Sequence, residues 1–99
     1  MTPLTRAESE RVALLIEELS ESIQVACKIL RHGFDSFNPD DDSGLDNREL
    51  LQKELGDVKY AIRLMSVNSD IDRDMIHVAY HQTADLKRRY LHFQDLFPV

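Results

Sequence analysis

The chain has 99 residues, 42% hydrophobic and 30% charged, a balance typical of a globular domain and unlike that of a disordered or membrane-embedded chain. Its 18 acidic and 12 basic residues give a formal net charge of −6, which repels a nucleic-acid backbone and argues against duplex DNA or RNA as a partner. This length supports one hydrophobic core, so we expect a single domain over residues 1–99.

The first predicted helix begins at Thr5, which has the spacing of a capping box with Glu8. Apolar residues then recur at the steps of three and four that are typical of an amphipathic helix. They are Val12, Leu15, Leu19, Ile23, Ala26 and Leu30. Gly33 is the residue type at which helices commonly end, so we expect a helix up to that glycine with its core along this stripe.

Residues 34–45 combine Asp, Ser, Asn, Pro and Gly without a sustained period, which predicts a loop. Asp46 and Glu49 then have the capping-box spacing of a second helix. The core stripe of this helix also follows helical steps, through Leu51, Leu55, Val58, Ile62 and Met65.

A third helix is predicted after Ser69 or Asp70, either of which can cap it, and is expected to end before Pro98. One side of it carries Ile71, Met75, Val78, Ala79, Gln82, Leu86, Tyr90 and Phe93. Since no segment alternates for long enough to form a strand, the predicted class is all-α, a bundle of about three main helices. Three helices leave apolar surface uncovered, so we expect a homodimer or homotetramer.

Other features predict a cytoplasmic protein that does not contact membranes. Apolar runs such as Val12 to Ile16 are too short to cross a bilayer, and Met1-Thr2-Pro3 does not begin a signal peptide. The single cysteine, Cys27, lies on an apolar helical stripe, and we interpret it as a core residue rather than a reactive thiol.

A second stripe on each of the first two helices places acids among apolar residues. On the first helix it runs through Leu14, Glu18, Glu21, Val25, Lys28 and His32. On the second it runs through Leu50, Glu54, Asp57, Ala61, Leu64 and Asn68, at the same steps. The apolar neighbours indicate that both stripes face inward, where an unpaired ionised carboxylate costs several kcal/mol.

Two facing pairs of acids require positive charge between them, and the one lysine of these stripes, Lys28, cannot neutralise four carboxylates. One or two hard divalent cations can do so through all-oxygen coordination. We therefore expect Mg²⁺, with Mn²⁺ as the alternative ion. Mg²⁺ held by carboxylates usually keeps positions open for water and phosphate, which favours hydrolysis of a phosphoanhydride. On a solvated face the same pairs would repel only modestly and need no ion.

Two short motifs in these stripes, Glu18-Leu19-Ser20-Glu21 and Glu54-Leu55-Gly56-Asp57, resemble the ExxE and ExxD pair of MazG-like nucleotide pyrophosphohydrolases. The resemblance covers the first two helices and, more loosely, the third. It implies an oligomeric all-α bundle in which Glu18, Glu21, Glu54 and Asp57 hold Mg²⁺. The implied reaction splits a ribo- or deoxyribonucleoside triphosphate into monophosphate and pyrophosphate, in house-cleaning or control of the nucleotide pool. Glu17 matches an additional acid that orients or deprotonates the attacking water.

Cations for the phosphates are expected at the end of the first helix, where Lys28, Arg31 and His32 lie on or beside the acidic stripe. The resemblance places further basic residues on a later helix, for which Lys87, Arg88 or Arg89 can serve. Asn68 is a candidate for hydrogen bonding to the base or sugar, with termination of the second helix as the alternative. We interpret the aromatic residues Phe34, Phe37 and Tyr60 as core rather than as base-stacking residues.

Two other functions stay open. The first is hydrolysis of phosphoribosyl-ATP, because the histidine-biosynthesis pyrophosphohydrolase shares the helical architecture that the resemblance implies. The second is a non-enzymatic helical dimer or binding module whose acids hold a structural metal or cover a solvated face. His77 and His81 have a spacing that can bind zinc, but no Cys or Glu-x-x-His partner accompanies them, which favours surface or core histidines.

Overall fold

A computed structural model describes residues 2–98, and within them it contains three α-helices and no β-strand. The helices are α1 (Arg6–His32), α2 (Asn47–Val67) and α3 (Arg73–Lys87). An isolated β-bridge joins Phe37 to Asp46 in the loop between α1 and α2. The predicted all-α class is thereby confirmed. Among the described residues, none of the helices has the length and apolarity needed to span a membrane.

The first two helices begin at the predicted capping boxes. Thr5 Oγ1 accepts a hydrogen bond from the Glu8 backbone N–H at 3.1 Å, and the Thr5 N–H donates to Glu8 Oε1 at 2.8 Å. Asp46 and Glu49 exchange the same two bonds at 2.8 and 3.2 Å. At the end of α1, Gly33 has a φ of 89°, in the region that favours glycine. The local signals therefore determine both ends of α1 and the start of α2.

Helices α1 and α2 pack against each other as an antiparallel pair through the faces that carry the acidic stripes. The buried apolar residues are Val25 of α1 and Val58, Ala61 and Met65 of α2. At one end of the pair, Asn47 Nδ2 donates to the Gly33 carbonyl at 3.1 Å, which ties the start of α2 to the end of α1. The predicted inward orientation of the acidic stripes is therefore confirmed.

The predicted core stripe of α1 is instead largely exposed within one chain. Ile23 is 63% exposed and Leu30 is 88% exposed, and Cys27 on the same side is also exposed, so its interpretation as a core residue is wrong for the single chain. The cause is that α1 is apolar on two opposite sides and α2 covers only the acidic one. Phe34, Phe37 and Tyr60 are likewise exposed, contrary to the core interpretation.

The third helix differs from the prediction at both ends. Asp72 rather than Ser69 or Asp70 caps α3, by accepting a hydrogen bond from the Asp74 N–H at 2.8 Å. The Asp70 carboxylate instead accepts hydrogen bonds from Arg11. The helix ends at Lys87, so Tyr90 and Phe93 lie beyond it in turns and bends. No residue of α3 is buried, and without tertiary packing the apolar period alone does not extend a helix.

The chain exposes far more surface than a compact protein of its mass. Its accessible surface is 8370 Å² and its radius of gyration 16.7 Å. A compact protein of this size exposes about 5,800 Å² and has a radius of gyration of about 13 Å. The predicted three-helix core is therefore not closed within one chain, in which only α1 and α2 share a substantial interface.

An ion pair joins the start of α1 to the segment between α2 and α3. Arg11 Nη2 donates to Asp70 Oδ1 at 2.9 Å and Arg11 Nε donates to Asp70 Oδ2, in a bidentate arrangement that is largely enclosed by protein. The hydrogen bonds from Arg11 lower the pKa of the Asp70 carboxyl below its usual 3.8. The ion pair links the two helices at the end opposite the loop that connects α1 to α2.

Replacing Asp70 with asparagine is expected to lower the melting temperature of the protein by several degrees, because the Arg11 guanidinium then loses its ionic partner in an enclosed site. Since the folded-state pKa of Asp70 is depressed, its contribution is present above pH 3.8 and is lost as the pH falls below that value. Circular dichroism melts at neutral and acidic pH should show a difference between Asp70→Asn and wild type that shrinks on acidification.

The matched control is Asp35→Asn, which removes the carboxylate of the exposed Arg48–Asp35 pair at 2.6 Å. Surface pairs of this kind contribute little to stability, so this variant should melt close to wild type. Equal melting temperatures for the two variants would contradict a structural role for the Arg11–Asp70 pair.

Candidate metal centre

Four carboxylates converge at the middle of the helix pair. Glu18 and Glu21 of α1 and Glu54 and Asp57 of α2 each provide one oxygen that lies within 4.8 Å of the other three. Spacing of three residues places each pair of acids on one helix face, and the packing of α1 on α2 turns the two faces toward each other. The structure thus brings together all four residues predicted as metal ligands.

The cluster is enclosed on one side and open on the other. Glu54 is only 8% exposed, and it lies on the face of α2 that buries Val58 and Ala61. Ser22 is buried beside Glu18, but its hydroxyl donates to the Glu18 backbone carbonyl at 2.9 Å and leaves the carboxylate unsatisfied. The Asp57 side chain, by contrast, is 43% exposed. Solvent and a small ligand can therefore reach the cluster from the Asp57 side.

Burial and mutual repulsion make ionisation of these acids unfavourable. Burial is the main cause that raises the pKa of Glu18, followed by the negative charges of Asp57, Glu17 and Glu54. For Glu21, the Glu54 carboxyl is the first cause of a raised pKa, because only the protonated form of Glu21 can donate a hydrogen bond to it; burial and the charge of Glu54 follow. The arrangement of charge in the protein alone therefore favours retention of protons by Glu18 and Glu21.

Two of the carboxylate oxygens have no hydrogen-bond partner. They are Oε2 of Glu18 and Oε2 of Glu54, both removed from solvent. Buried polar atoms are rarely left in this state, because the desolvation is then uncompensated. A divalent cation fits this site, since the donors are all carboxylate oxygens, the ligand type that Mg²⁺ and Mn²⁺ prefer.

The sequence reasoning missed one cation at the site, Lys53. Its Nζ donates to Asp57 Oδ2 at 3.1 Å and to Glu54 Oε1 at 3.4 Å. The spacing of four residues between Lys53 and Asp57 was the available signal, since such pairs meet on a helix surface. Because the Lys53 side chain is 56% exposed and carries one charge against four, it leaves the cluster strongly negative.

Three predicted phosphate contacts lie together at the end of α1. Lys28, Arg31 and His32 line a cavity of 340 Å³ that Phe37 and Asn47 also border. Lys28 follows Glu21 by seven residues on the same stripe, or about 10 Å along the helix axis. The structure thus gathers three basic side chains in one cavity, which is separate from the carboxylate cluster and lies toward the end of α1.

Glu17, Asn68 and Lys87 occupy other places. Glu17 is exposed on α1 and acts on the cluster through its charge, which raises the pKa of both Glu18 and Glu21. Asn68 ends α2, and its Nδ2 donates to the Leu64 carbonyl at 2.9 Å, as the alternative interpretation expected. Lys87 lies in the last turn of α3 and lines a separate cavity with Arg88 and Phe97. The described structure therefore does not group Asn68 or Lys87 with the carboxylates.

Comparisons with protein-family models, with curated proteins and with solved structures found no match to this chain.

Without metal, the protein should become less stable as the pH rises from 4.5 to neutrality. The raised folded-state pKa values mean that the folded state binds more protons than the unfolded state above the usual value of 4.5. The unfolding free energy therefore decreases with pH over that range. Melting curves recorded in EDTA at several pH values measure this slope directly.

The double variant Glu18→Gln/Glu21→Gln should flatten the slope and raise the melting temperature at neutral pH. Glu10→Gln is the control, because it makes the same chemical change at an exposed position of α1. A wild-type melting temperature that rises with pH in EDTA, or an equal effect of Glu10→Gln, would contradict the view that burial and mutual repulsion of the carboxylates destabilise the protein.

Proposed function

We propose that this chain is a Mg²⁺-dependent nucleotide pyrophosphohydrolase of the MazG-like type, which splits a ribo- or deoxyribonucleoside triphosphate into monophosphate and pyrophosphate. The supporting observation is the convergence of four carboxylates from two helices, with two buried oxygens that have no hydrogen-bond partner. A purely structural acidic face would expose such groups to water, where they need no partner. A site of this kind controls a nucleotide pool or removes unwanted nucleotides.

In this proposal Glu18, Glu21, Glu54 and Asp57 hold Mg²⁺, or Mn²⁺ in its place. When bound, the ion supplies charge for the phosphates and makes water a stronger nucleophile. Glu54 is the most buried of the four, so it is the ligand with least access to competing water. Exposed Glu17, whose charge acts on the cluster, is the candidate to accept the proton of the attacking water.

The basic side chains at the end of α1 favour an anionic substrate. Lys28, Arg31 and His32 share one cavity with a single acid, Asp41, so basic side chains outnumber acidic ones there although the whole protein has a net charge of −6. Phosphate groups bind such side chains through charge-assisted hydrogen bonds. Lys53 is proposed as a fourth contact for phosphate, because it lies at the edge of the cluster and its side chain is 56% exposed.

The substrate assay should include Mg²⁺ and a panel of canonical and modified NTPs and dNTPs, with monophosphate, pyrophosphate and single phosphate resolved as products. Monophosphate plus pyrophosphate, lost in EDTA, is the expected result. Glu54→Gln should lower kcat/KM by more than the roughly 10–100-fold that losing an outer partner of a metal ligand costs. Glu10→Gln is again the matched control and should retain activity.

The other outcomes of this assay identify the alternatives. Turnover of phosphoribosyl-ATP without turnover of free triphosphates would replace the proposed substrate. No turnover at all, with a Mg²⁺-dependent rise in melting temperature, would indicate a non-enzymatic binding module. Full activity of Glu54→Gln would contradict the metal-holding role of the cluster.

The proposed enzyme is a homodimer or homotetramer that covers the outer face of α1. This outer face consists of Ile16, Leu19, Ile23, Cys27 and Leu30, all exposed in one chain. The accessible surface of 8370 Å² exceeds that of a compact protein by about 2,500 Å², which is of the order that obligate dimers bury. The proposed partner on this face is a second copy of the same chain, because identical copies are always present together.

Replacing Ile23 with glutamate should dissociate the oligomer, because the carboxylate would be buried in an apolar interface. Gln24→Glu is the control, since it adds the same charge one position away at an exposed residue. Light scattering coupled to size-exclusion chromatography measures the mass. A monomeric wild-type protein, or an unchanged mass for Ile23→Glu, would contradict the proposed assembly.

A further inference from the structure

Helix α3 carries a pair of histidines that the proposed hydrolysis does not use. His77 and His81 are four residues apart and therefore lie on the same face of the helix. Their Nε2 atoms are 3.1 Å apart, so the two rings direct their outer nitrogens toward one point. Both side chains are exposed, which leaves that point accessible from solvent.

The separation of the two nitrogens matches that of two ligands of one ion. Metal–imidazole bonds of about 2.0–2.1 Å place neighbouring nitrogens about 2.8–3.0 Å apart in the square-planar geometry of Cu²⁺ or Ni²⁺, and about 3.3–3.4 Å apart in the tetrahedral geometry of Zn²⁺. The observed 3.1 Å lies between these two separations. An ion can therefore replace the hydrogen bond between the rings with little rotation of either side chain.

Tyr80 lies beside both rings. Its ring is nearly parallel to that of His77, with centroids 6.3 Å apart, and meets the edge of the His81 ring at 5.3 Å. The two histidine rings are themselves almost perpendicular, with centroids 4.5 Å apart. These ring contacts favour the paired arrangement of the two imidazoles, which lowers the cost of ordering the ligands on binding.

We propose that His77 and His81 chelate a first-row transition-metal ion such as Zn²⁺, Ni²⁺ or Cu²⁺, at a site separate from the carboxylate cluster. Imidazole nitrogen suits these ions, whereas Mg²⁺ prefers oxygen, so the two sites select ions of different chemistry. No third His, Cys, Asp or Glu joins the pair within the described residues, and the remaining positions on the ion are open to water.

Binding at this site stabilises α3. The helix has 15 residues and buries none of them, and helices of that length are marginal in water without tertiary packing. An ion that joins residues four apart binds the helical form more tightly than the unfolded one, because only the helix holds both imidazoles together, and this shifts the equilibrium toward helix. Binding of a transition-metal ion would therefore increase the helical order of α3, the helix that packs least against the rest of the chain.

Calorimetric titration of Zn²⁺, Ni²⁺ and Cu²⁺ into the full-length Glu54→Gln variant tests the proposal, because this variant weakens the oxygen site without changing α3. We expect one ion per chain, with Cu²⁺ binding tightest. Adding His77→Gln or His81→Gln should weaken binding at least tenfold. His92→Gln removes an imidazole outside α3 and should leave binding unchanged. Circular dichroism checks the folding of every variant, because the histidine substitutions alter exposed side chains whereas Glu54→Gln alters a buried one.

Two further readouts distinguish a chelate from adventitious binding. The electron paramagnetic resonance spectrum of the Cu²⁺ complex should show two nitrogen ligands, and hydrogen exchange of residues 73–87 should slow when Zn²⁺ is added. Failure to bind any of the three ions, equal weakening by His92→Gln, or a spectrum with oxygen ligands only would each overturn the proposal.

Discussion

The structure depends on the packing of α1 against α2 through faces that combine apolar and acidic residues. Val25, Val58, Ala61 and Met65 provide the apolar contact, and burial of such side chains is the main force that holds two helices together. The same contact forces two pairs of carboxylates into one small volume. The interaction that forms the helix pair therefore also creates the concentration of negative charge, and a cation would relieve both the repulsion and the unsatisfied oxygens.

The single chain has an extended shape because α1 packs on α2 through its acidic face. Once α2 covers the acidic side of α1, the apolar residues on the opposite side, among them Ile23 and Leu30, have no partner in the chain. Helix α3 does not provide one, since none of its residues is buried. In the proposed enzyme, metal binding and oligomerisation therefore use opposite faces of α1. The acidic face packs on α2 and holds the metal, and the apolar face that would drive oligomerisation stays exposed.

The two proposed metal sites differ in how the chain supports them. The carboxylate cluster joins two helices and is partly buried, so its geometry depends on tertiary packing. The histidine pair lies within one turn of a single exposed helix and needs only helical geometry. Loss of packing between α1 and α2 would therefore destroy the first site and leave the second intact.

The sequence alone determined the features of this structure that depend on interactions between residues close together in the chain. The capping boxes at Thr5 and Asp46, the stop at Gly33 and the spacing that pairs the acids are local, and they appear as predicted. Only the tertiary structure decided which of the two apolar sides of α1 is covered, because helical period is the same on both. It also decided the Arg11–Asp70 pair, whose partners are 59 residues apart in the sequence. The early end of α3 has the same kind of cause, since propagation past Lys87 required packing that the chain does not provide.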